Sequence, residues 1–192
     1  MKLQLREMIM IGIFAALMVV GAKLSIPTPF GVPLTFQLFF SIYAGLLLGA
    51  KAGFLSQLIY ILLGLVGLPV FTMGGGIAYI FNPTFGYIIG FAVAPLIVGI
   101  LLNNKKEIYF LKVLGVSIVG FTAIYIIGNM YLYFIKDLYL NKPASLVGIF
   151  KSMLPFMIKD FILVIIAAYS STIIIPILRK SGVMNGVCKN NI

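Results

Sequence analysis

The chain has 192 residues, of which 62% are hydrophobic and only 9% are charged. A soluble domain carries about 25% charged residues, so this chain could not cover its surface in water. A disordered chain would be poorer in apolar residues. At about 20 residues per spanning helix, the length accommodates about six spans. We therefore predict a polytopic protein of the cell membrane, a single integral domain over 1–192.

Residue types that are scarce or missing exclude several functions. There is no histidine, and Cys188 is the only cysteine, which excludes catalysis by a His base, a disulfide framework and the usual zinc sites. No phosphate-binding G-x-x-x-x-G-K-[ST] run occurs, so the chain is not predicted to hydrolyse ATP itself. We expect neither an enzyme nor a cofactor or metal site.

Uncharged stretches, broken by proline and glycine, locate the helices. The 53 uncharged residues between Lys51 and Lys105 are too many for one span and break near 67–69 and 82–84. The predicted spans are 7–25, 34–50, 52–69, 84–103, 111–135 and 152–178. The connector 26–33 holds three prolines, which exclude a regular helix there. The predicted architecture is an all-α bundle of six transmembrane helices.

The net charge of +10 comes from 14 basic against 4 acidic residues, and it indicates orientation. The basic residues lie between apolar runs, where they anchor helix ends, so nucleic acid is not an expected partner. With the N-terminus inside, the cytoplasmic set is Lys2, Arg6, Lys51, Lys105, Lys106, Lys112, Arg179, Lys180 and Lys189, and the outer set is Lys23, Lys136, Lys142 and Lys151. Nine against four favours both termini in the cytoplasm.

Asp160 is the acidic residue with most functional promise, because it falls inside the last predicted span. An ionisable group in a span usually faces the bundle interior. The neighbouring Lys159 lies about 100° round the helix and is expected to face elsewhere, towards the outer interface. Asp160 thus needs a partner from another helix or from a ligand, and the residue alone leaves both open. The remaining acids, Glu7, Glu107 and Asp137, are expected to be solvated at the interface.

Two glycine-containing patterns allow more than one interpretation. Gly12 and Ala16, with Ala15 beside them, give the first helix a small-residue face that permits close helix contact, although such spacing is common in membrane helices. Gly45 and Gly49 repeat the spacing in the second. The run Gly74–Gly76 predicts either a backbone nest for an anion or a flexible turn.

The order of several motifs resembles one transporter family. They are Ile26-Pro27, Val32-Pro33-Leu34-Thr35-Phe36-Gln37, Gly45 with Gly49, Tyr60 with Gly64, Gly67-Leu68-Pro69-Val70-Phe71, Gly74-Gly75-Gly76 and Pro83-Thr84-Phe85-Gly86-Tyr87 followed by Gly90-Phe91. This order over residues 20–95, with Pro155-Phe156 and Asp160 further on, resembles the BioY family. Those proteins are the biotin-specific S components of energy-coupling factor (ECF) vitamin transporters.

The resemblance implies a six-helix subunit that binds biotin in an outward-facing cavity capped by the first and third outer loops. It also implies contact with membrane lipid and three protein partners, namely an ECF transmembrane subunit and two ATP-binding subunits. Gly12, Ala15 and Ala16 would contact the transmembrane subunit.

The implied ligand site centres on Asp160, whose carboxylate would accept N–H groups from the cyclic urea of biotin. Asn82, Gln37, Thr35, Tyr79 or Tyr87 would serve the urea carbonyl or the tail. The family commonly has a lysine three residues after the aspartate, where this chain has Leu163. The cation for the ligand carboxylate would then be Lys159 or Lys23, or be replaced by backbone N–H groups.

Two other functions stay open at this stage. The chain could be an S component for another small vitamin or precursor, or a structural membrane subunit without any ligand. The structural subunit requires the polar residues around Asp160 to satisfy one another and to leave no cavity.

Overall fold

A computed structural model of the chain describes residues 4–29, 32–102, 109–140 and 145–180. Regular structure in these ranges is helical: α1 (Leu5–Lys23), α2 (Gln37–Leu65), a 3₁₀ helix (Ile77–Phe81), α3 (Phe85–Leu102), α4 (Phe110–Phe134), a π-helical turn (Ile135–Tyr139) and α5 (Leu146–Lys180). Five of the described helices are long and apolar enough to cross a membrane. The prediction of an all-α membrane protein is therefore confirmed.

Gly49 divides α2 into two antiparallel halves. Its backbone has φ 77° and ψ −175°, a conformation outside the helical region that is essentially restricted to glycine. In a continuous helix Gln37 and Tyr60 would lie about 35 Å apart. Instead, the Gln37 side-chain N–H donates to the Tyr60 hydroxyl at 2.9 Å. The segments 37–48 and 50–65 thus lie side by side, close to the predicted spans 34–50 and 52–69.

Small residues let α3 pack closely against both halves of α2. A Cβ on Gly45 would lie 2.9 Å from Cα of Pro95, and one on Gly99 would collide with the backbone of Ala50. The predicted small-residue spacing of Gly45 and Gly49 therefore serves packing within the bundle and the turn between the two halves.

Large apolar side chains remain exposed on the outside of the bundle, as a lipid-facing surface requires. Leu111 is 78% exposed and Ile158 64% exposed. The helix ends agree with the predicted spans within a few residues, except that α5 begins at Leu146 and runs through Pro155.

The acidic residues other than Asp160 differ from one another in their exposure to solvent. Asp137 is exposed, as expected, while Glu107 lies outside the described residues. The prediction for Glu7 is wrong, because its side chain is buried with 2% exposure. Glu7 lies in the first turn of α1, where the helix dipole favours a negative charge.

Candidate ligand-binding site

A cavity lies at the end of the bundle where the connectors 24–36 and 66–84 cross it, and it holds about 560 Å³ of empty space including its open mouth. Its polar wall consists of Thr35, Gln37, Thr72, Tyr79, Thr84, Tyr87, Tyr125, Lys159 and Asp160. Its apolar wall consists of Val32, Pro33, Leu38, Ile88, Phe91, Ile124, Met153 and Phe156. The predicted ligand residues Asp160, Lys159, Tyr87, Gln37, Thr35 and Tyr79 thus meet around one space.

Asp160 has partners on two sides. The Tyr125 hydroxyl on α4 donates to Oδ2 at 2.7 Å, and the Lys159 ammonium lies 2.5 Å from Oδ1. Oδ1 is buried yet accepts no hydrogen bond of regular geometry from the described residues. The carboxylate therefore has one oxygen held by Tyr125 of α4 and the other paired with the Lys159 ammonium.

The expectation that Lys159 faces away from Asp160 is wrong. Its Cβ starts on a different side of α5, but the flexible four-carbon stem brings the ammonium back to the carboxylate. The same ammonium donates to the backbone carbonyl of Thr35 at 2.5 Å and lies 5.9 Å from the Phe36 ring centre. Lys159 thus joins α5 to the connector 24–36. The other candidate cation, Lys23, is absent from the cavity lining and donates to the Phe71 carbonyl at 3.1 Å.

Gln37 anchors the second connector. Besides donating to Tyr60, its side-chain carbonyl accepts from the Thr72 hydroxyl at 3.5 Å. The Tyr60 hydroxyl in turn donates to the Val70 carbonyl at 3.4 Å. These contacts tie the connector 66–84 to both halves of α2.

Asn82 is the predicted ligand residue that does not line the cavity. Its side-chain oxygen accepts from the Thr84 backbone N–H at 2.9 Å and from the Thr84 hydroxyl at 2.7 Å, an Asx turn leading into α3. The Thr84 proton is thereby used, so the Tyr79 hydroxyl is the donor in its 3.2 Å contact with Thr84. Burial raises the pKa of Tyr79 above 10.0, which keeps this hydroxyl protonated. Asn82 therefore orients the wall residue Thr84 without lining the cavity itself.

The glycine run forms a hydrogen-bonded turn. The Gly76 N–H donates to the Gly64 carbonyl at 2.7 Å, and the Gly74 N–H donates to the Phe71 carbonyl at 3.3 Å. These two groups cannot also bind an anion, so the geometry does not favour the nest. The geometry favours the turn interpretation, but this turn is held to α2 by a hydrogen bond rather than being flexible.

The residues predicted to dock a partner do not all face outward. Gly12 and Ala16 are exposed, and nothing lies within 4 Å of the position of a Cβ on Gly12. Ala15 faces the bundle interior with 3% exposure. The open small-residue face of α1 is therefore formed by Gly12 and Ala16.

The sequence interpretation missed the contribution of α4. Tyr125 holds Asp160, and Asn129 accepts a hydrogen bond from the Tyr87 hydroxyl at 2.6 Å. The spacing of Tyr125 and Asn129 puts both on one helix face. Asn129 is the one amide side chain in the uncharged run 113–135. A polar residue in such an apolar run could have indicated that this face of α4 points into the bundle.

These features are those of a helical membrane protein with a cavity between a polar and an apolar wall. The BioY family model matches residues 1–180, and the chain belongs to the BioY family.

Curated relatives and a solved structure agree with this assignment. The probable biotin transporter BioY of Lysinibacillus sphaericus is 42% identical over 91% of this chain and 89% of its own length. The biotin transporter BioY of Thermotoga maritima is 36% identical over 85% of this chain and 92% of its own length. The fold matches the crystal structure of an S component for biotin from an ECF-type ABC transporter, with a TM-score of 0.76 and 28% identity, covering 91% of this chain and 90% of that one. The family is one of transport proteins rather than enzymes.

Proposed function

We propose that this chain is the biotin-binding S component of an ECF-type importer. The observation that carries the proposal is the Asp160 carboxylate on the wall of the cavity, held by Tyr125 and paired with Lys159. A structural subunit without ligand would leave no cavity around this group, whereas here the carboxylate belongs to the wall of one.

The cavity wall has the chemistry that a cyclic urea requires. One ureido N–H would donate to Asp160, because a charged acceptor makes a strong hydrogen bond. The ammonium of Lys159, 2.5 Å from that carboxylate, would donate to the neighbouring urea carbonyl. An adjacent acceptor and donor thus complement one N–H and C=O edge of the ring.

This arrangement favours the urea carbonyl over the ligand tail as the partner of Lys159. An ammonium held beside Asp160 lies at the ring end of a ligand that Asp160 binds. The apolar wall, including Phe91, Ile124 and Phe156, would cover the sulfur-containing ring and the aliphatic chain. Thr35, Gln37 and Tyr79, near the two connectors, remain candidates for the tail carboxylate.

An orientation with both termini in the cytoplasm would allow uptake from outside. If each half of α2 crosses the membrane, the bundle has six spans and both termini lie on one side. The distribution of basic residues favours the cytoplasm for that side. The cavity, at the end crossed by the connectors 24–36 and 66–84, would then open outward. A membrane-impermeant thiol reagent should label Cys188 in inside-out vesicles and leave it unmodified in intact cells. Labelling in intact cells would overturn the orientation.

Energy for transport would come from partner proteins. The sequence contains no G-x-x-x-x-G-K-[ST] run, so a transmembrane subunit and two ATP-binding subunits would drive import. The exposed pair Gly12 and Ala16 would let a partner helix approach α1 closely within the lipid.

Direct binding tests the proposal. The purified protein should bind biotin in equilibrium dialysis, and biotin should raise its melting temperature, because a ligand that binds the folded state alone stabilises it. The Asp160→Asn variant should bind more weakly. Other small vitamins tested as competitors separate a biotin component from one for a different vitamin. Displacement of biotin by another vitamin at lower concentration would assign that vitamin instead.

A further inference from the structure

We propose that Asn129 is a positioning residue that makes the Tyr87 hydroxyl a hydrogen-bond acceptor for the second N–H of a ureido ring. The inference rests on the proposed function and assigns a role to α4 in recognising the ligand. It concerns the side of the ring that Asp160 does not reach.

The direction of one hydrogen bond carries the argument. A phenol has a single proton, and Tyr87 donates it to the side-chain oxygen of Asn129 at 2.6 Å. Asn129 is completely buried, so water does not compete for this bond. The remaining lone pairs of the Tyr87 oxygen can accept but not donate, while its side chain lines the cavity.

The packing of α4 fixes the ring as well as the hydroxyl. A Cβ on Gly128 would overlap the Tyr87 ring, so the ring rests on bare backbone next to Asn129. The Tyr87 ring also meets the Tyr125 ring edge to face, with centroids 6.1 Å apart. Residues 125, 128 and 129 together therefore restrict the rotation and the position of Tyr87.

Helix α4 forms a hydrogen bond with each of the two proposed acceptors, Asp160 and Tyr87. Tyr125 donates to one oxygen of Asp160, whose other oxygen is paired with Lys159, and Asn129 accepts the hydrogen bond that Tyr87 donates. The cavity thus presents acceptors from α3 and α5, as a ring with two N–H donors requires. A ring with a hydrogen-bond acceptor in place of the second ureido N–H would be rejected, because that acceptor would face the Tyr87 oxygen, which is also an acceptor.

The test measures dissociation constants for biotin and for its two mono-N-methyl ureido analogues. Tyr87→Phe should weaken biotin binding about 3- to 10-fold, the usual range for one neutral hydrogen bond. One analogue cannot make the bond to Tyr87 and should bind Tyr87→Phe as well as it binds the unsubstituted protein. The other analogue should show the same loss as biotin. A merely structural role for Tyr87 would weaken all three ligands equally.

Asn129→Leu and the double variant test the positioning role. Asn129→Leu should weaken biotin binding to a similar extent, and the double variant should be no weaker than Tyr87→Phe. Ser117→Ala is the matched control, because Ser117 is also fully buried on α4 but donates to the Val113 carbonyl of its own helix. If Asn129→Leu does not fold, the analogue pattern with Tyr87→Phe still decides.

Three outcomes contradict the inference. They are unchanged biotin binding by Tyr87→Phe, equal losses for biotin and both analogues, and losses for Tyr87 and Asn129 that multiply in the double variant. Absence of biotin binding by the unsubstituted protein would overturn the proposed function and this inference with it. Normal binding by that protein with any of the three outcomes overturns the inference alone.

Discussion

Replacing Asp160 with asparagine should separate ligand binding from folding. The substitution keeps the size of the side chain and lets its oxygen still accept from Tyr125, which donates at 2.7 Å in the native protein. It removes the charge that faces Lys159 and directs new N–H donors towards either that ammonium or a ligand N–H. The variant therefore loses a charged acceptor while the surrounding packing is preserved.

The size of the binding defect follows from the kind of bond that is lost. A hydrogen bond involving a charged group contributes about 1.5–3 kcal/mol, so biotin should bind roughly 10- to 150-fold more weakly. Folding should suffer less. Breaking a fully buried ion pair costs about 3–5 kcal/mol, but the Lys159 side chain is 31% exposed and keeps its bond to Thr35. We expect the free energy of unfolding of the ligand-free protein to fall by about 1 kcal/mol.

The assay is titration calorimetry of purified protein, combined with the melting temperature of the ligand-free form. Asp137→Asn is the matched control, because it makes the same chemical change at an exposed position outside the cavity and should leave both quantities unchanged. Native affinity in a strongly destabilised Asp160→Asn protein would refute the reasoning, since it would make Asp160 part of the scaffold.

Three further substitutions test the partner of Lys159, the turn in α2 and the docking face. Lys159→Met should weaken biotin and biotin methyl ester by the same factor if the ammonium binds the urea carbonyl; a loss confined to free biotin would assign Lys159 to the tail. Gly49→Ala should lower the free energy of unfolding by about 1–3 kcal/mol, because φ 77° with ψ −175° strains any residue with a Cβ. Gly115→Ala, at an open helical position, should be neutral or stabilising in the same thermal melt, and equal effects would contradict the proposed strain. Ala16→Leu should reduce co-purification with the transmembrane subunit while biotin binding by the isolated chain persists, and unchanged assembly would remove this face from the account.

The amino-acid order was sufficient to predict several of the residues that line the cavity. Asp160 stands out because a charged residue inside an apolar run is energetically costly and usually marks a functional site. Gln37, Thr35, Tyr79 and Tyr87 belong to motifs near proline and glycine breaks, where connectors cross the end of a bundle. Asn82 belongs to the same group, but its side-chain oxygen accepts a hydrogen bond from the Thr84 hydroxyl. The spacing of the residues alone does not reveal this local contact.

The contribution of α4 could not be obtained in this way. Tyr125 and Asn129 lie 35 and 42 residues along the chain from their partners Asp160 and Tyr87. Nothing in a hydropathy pattern says which face of α4 meets α3 and α5. The pairing of Lys159 with Asp160 was missed for another reason, since helix geometry fixes the direction of Cβ but not where a long flexible side chain ends.

Composition and the position of charges determined by themselves that this is a helical membrane protein, because lipid penalises every unpaired backbone group and nearly every charge. They also located the helix breaks, since proline and glycine act on the backbone locally. Only the tertiary structure decided which polar groups share one cavity and that α2 folds back on itself at Gly49. It also decided which cavity residues form hydrogen bonds with α4. Those features depend on contacts between distant segments, where a rotation of one helix changes the partner of every side chain on its face.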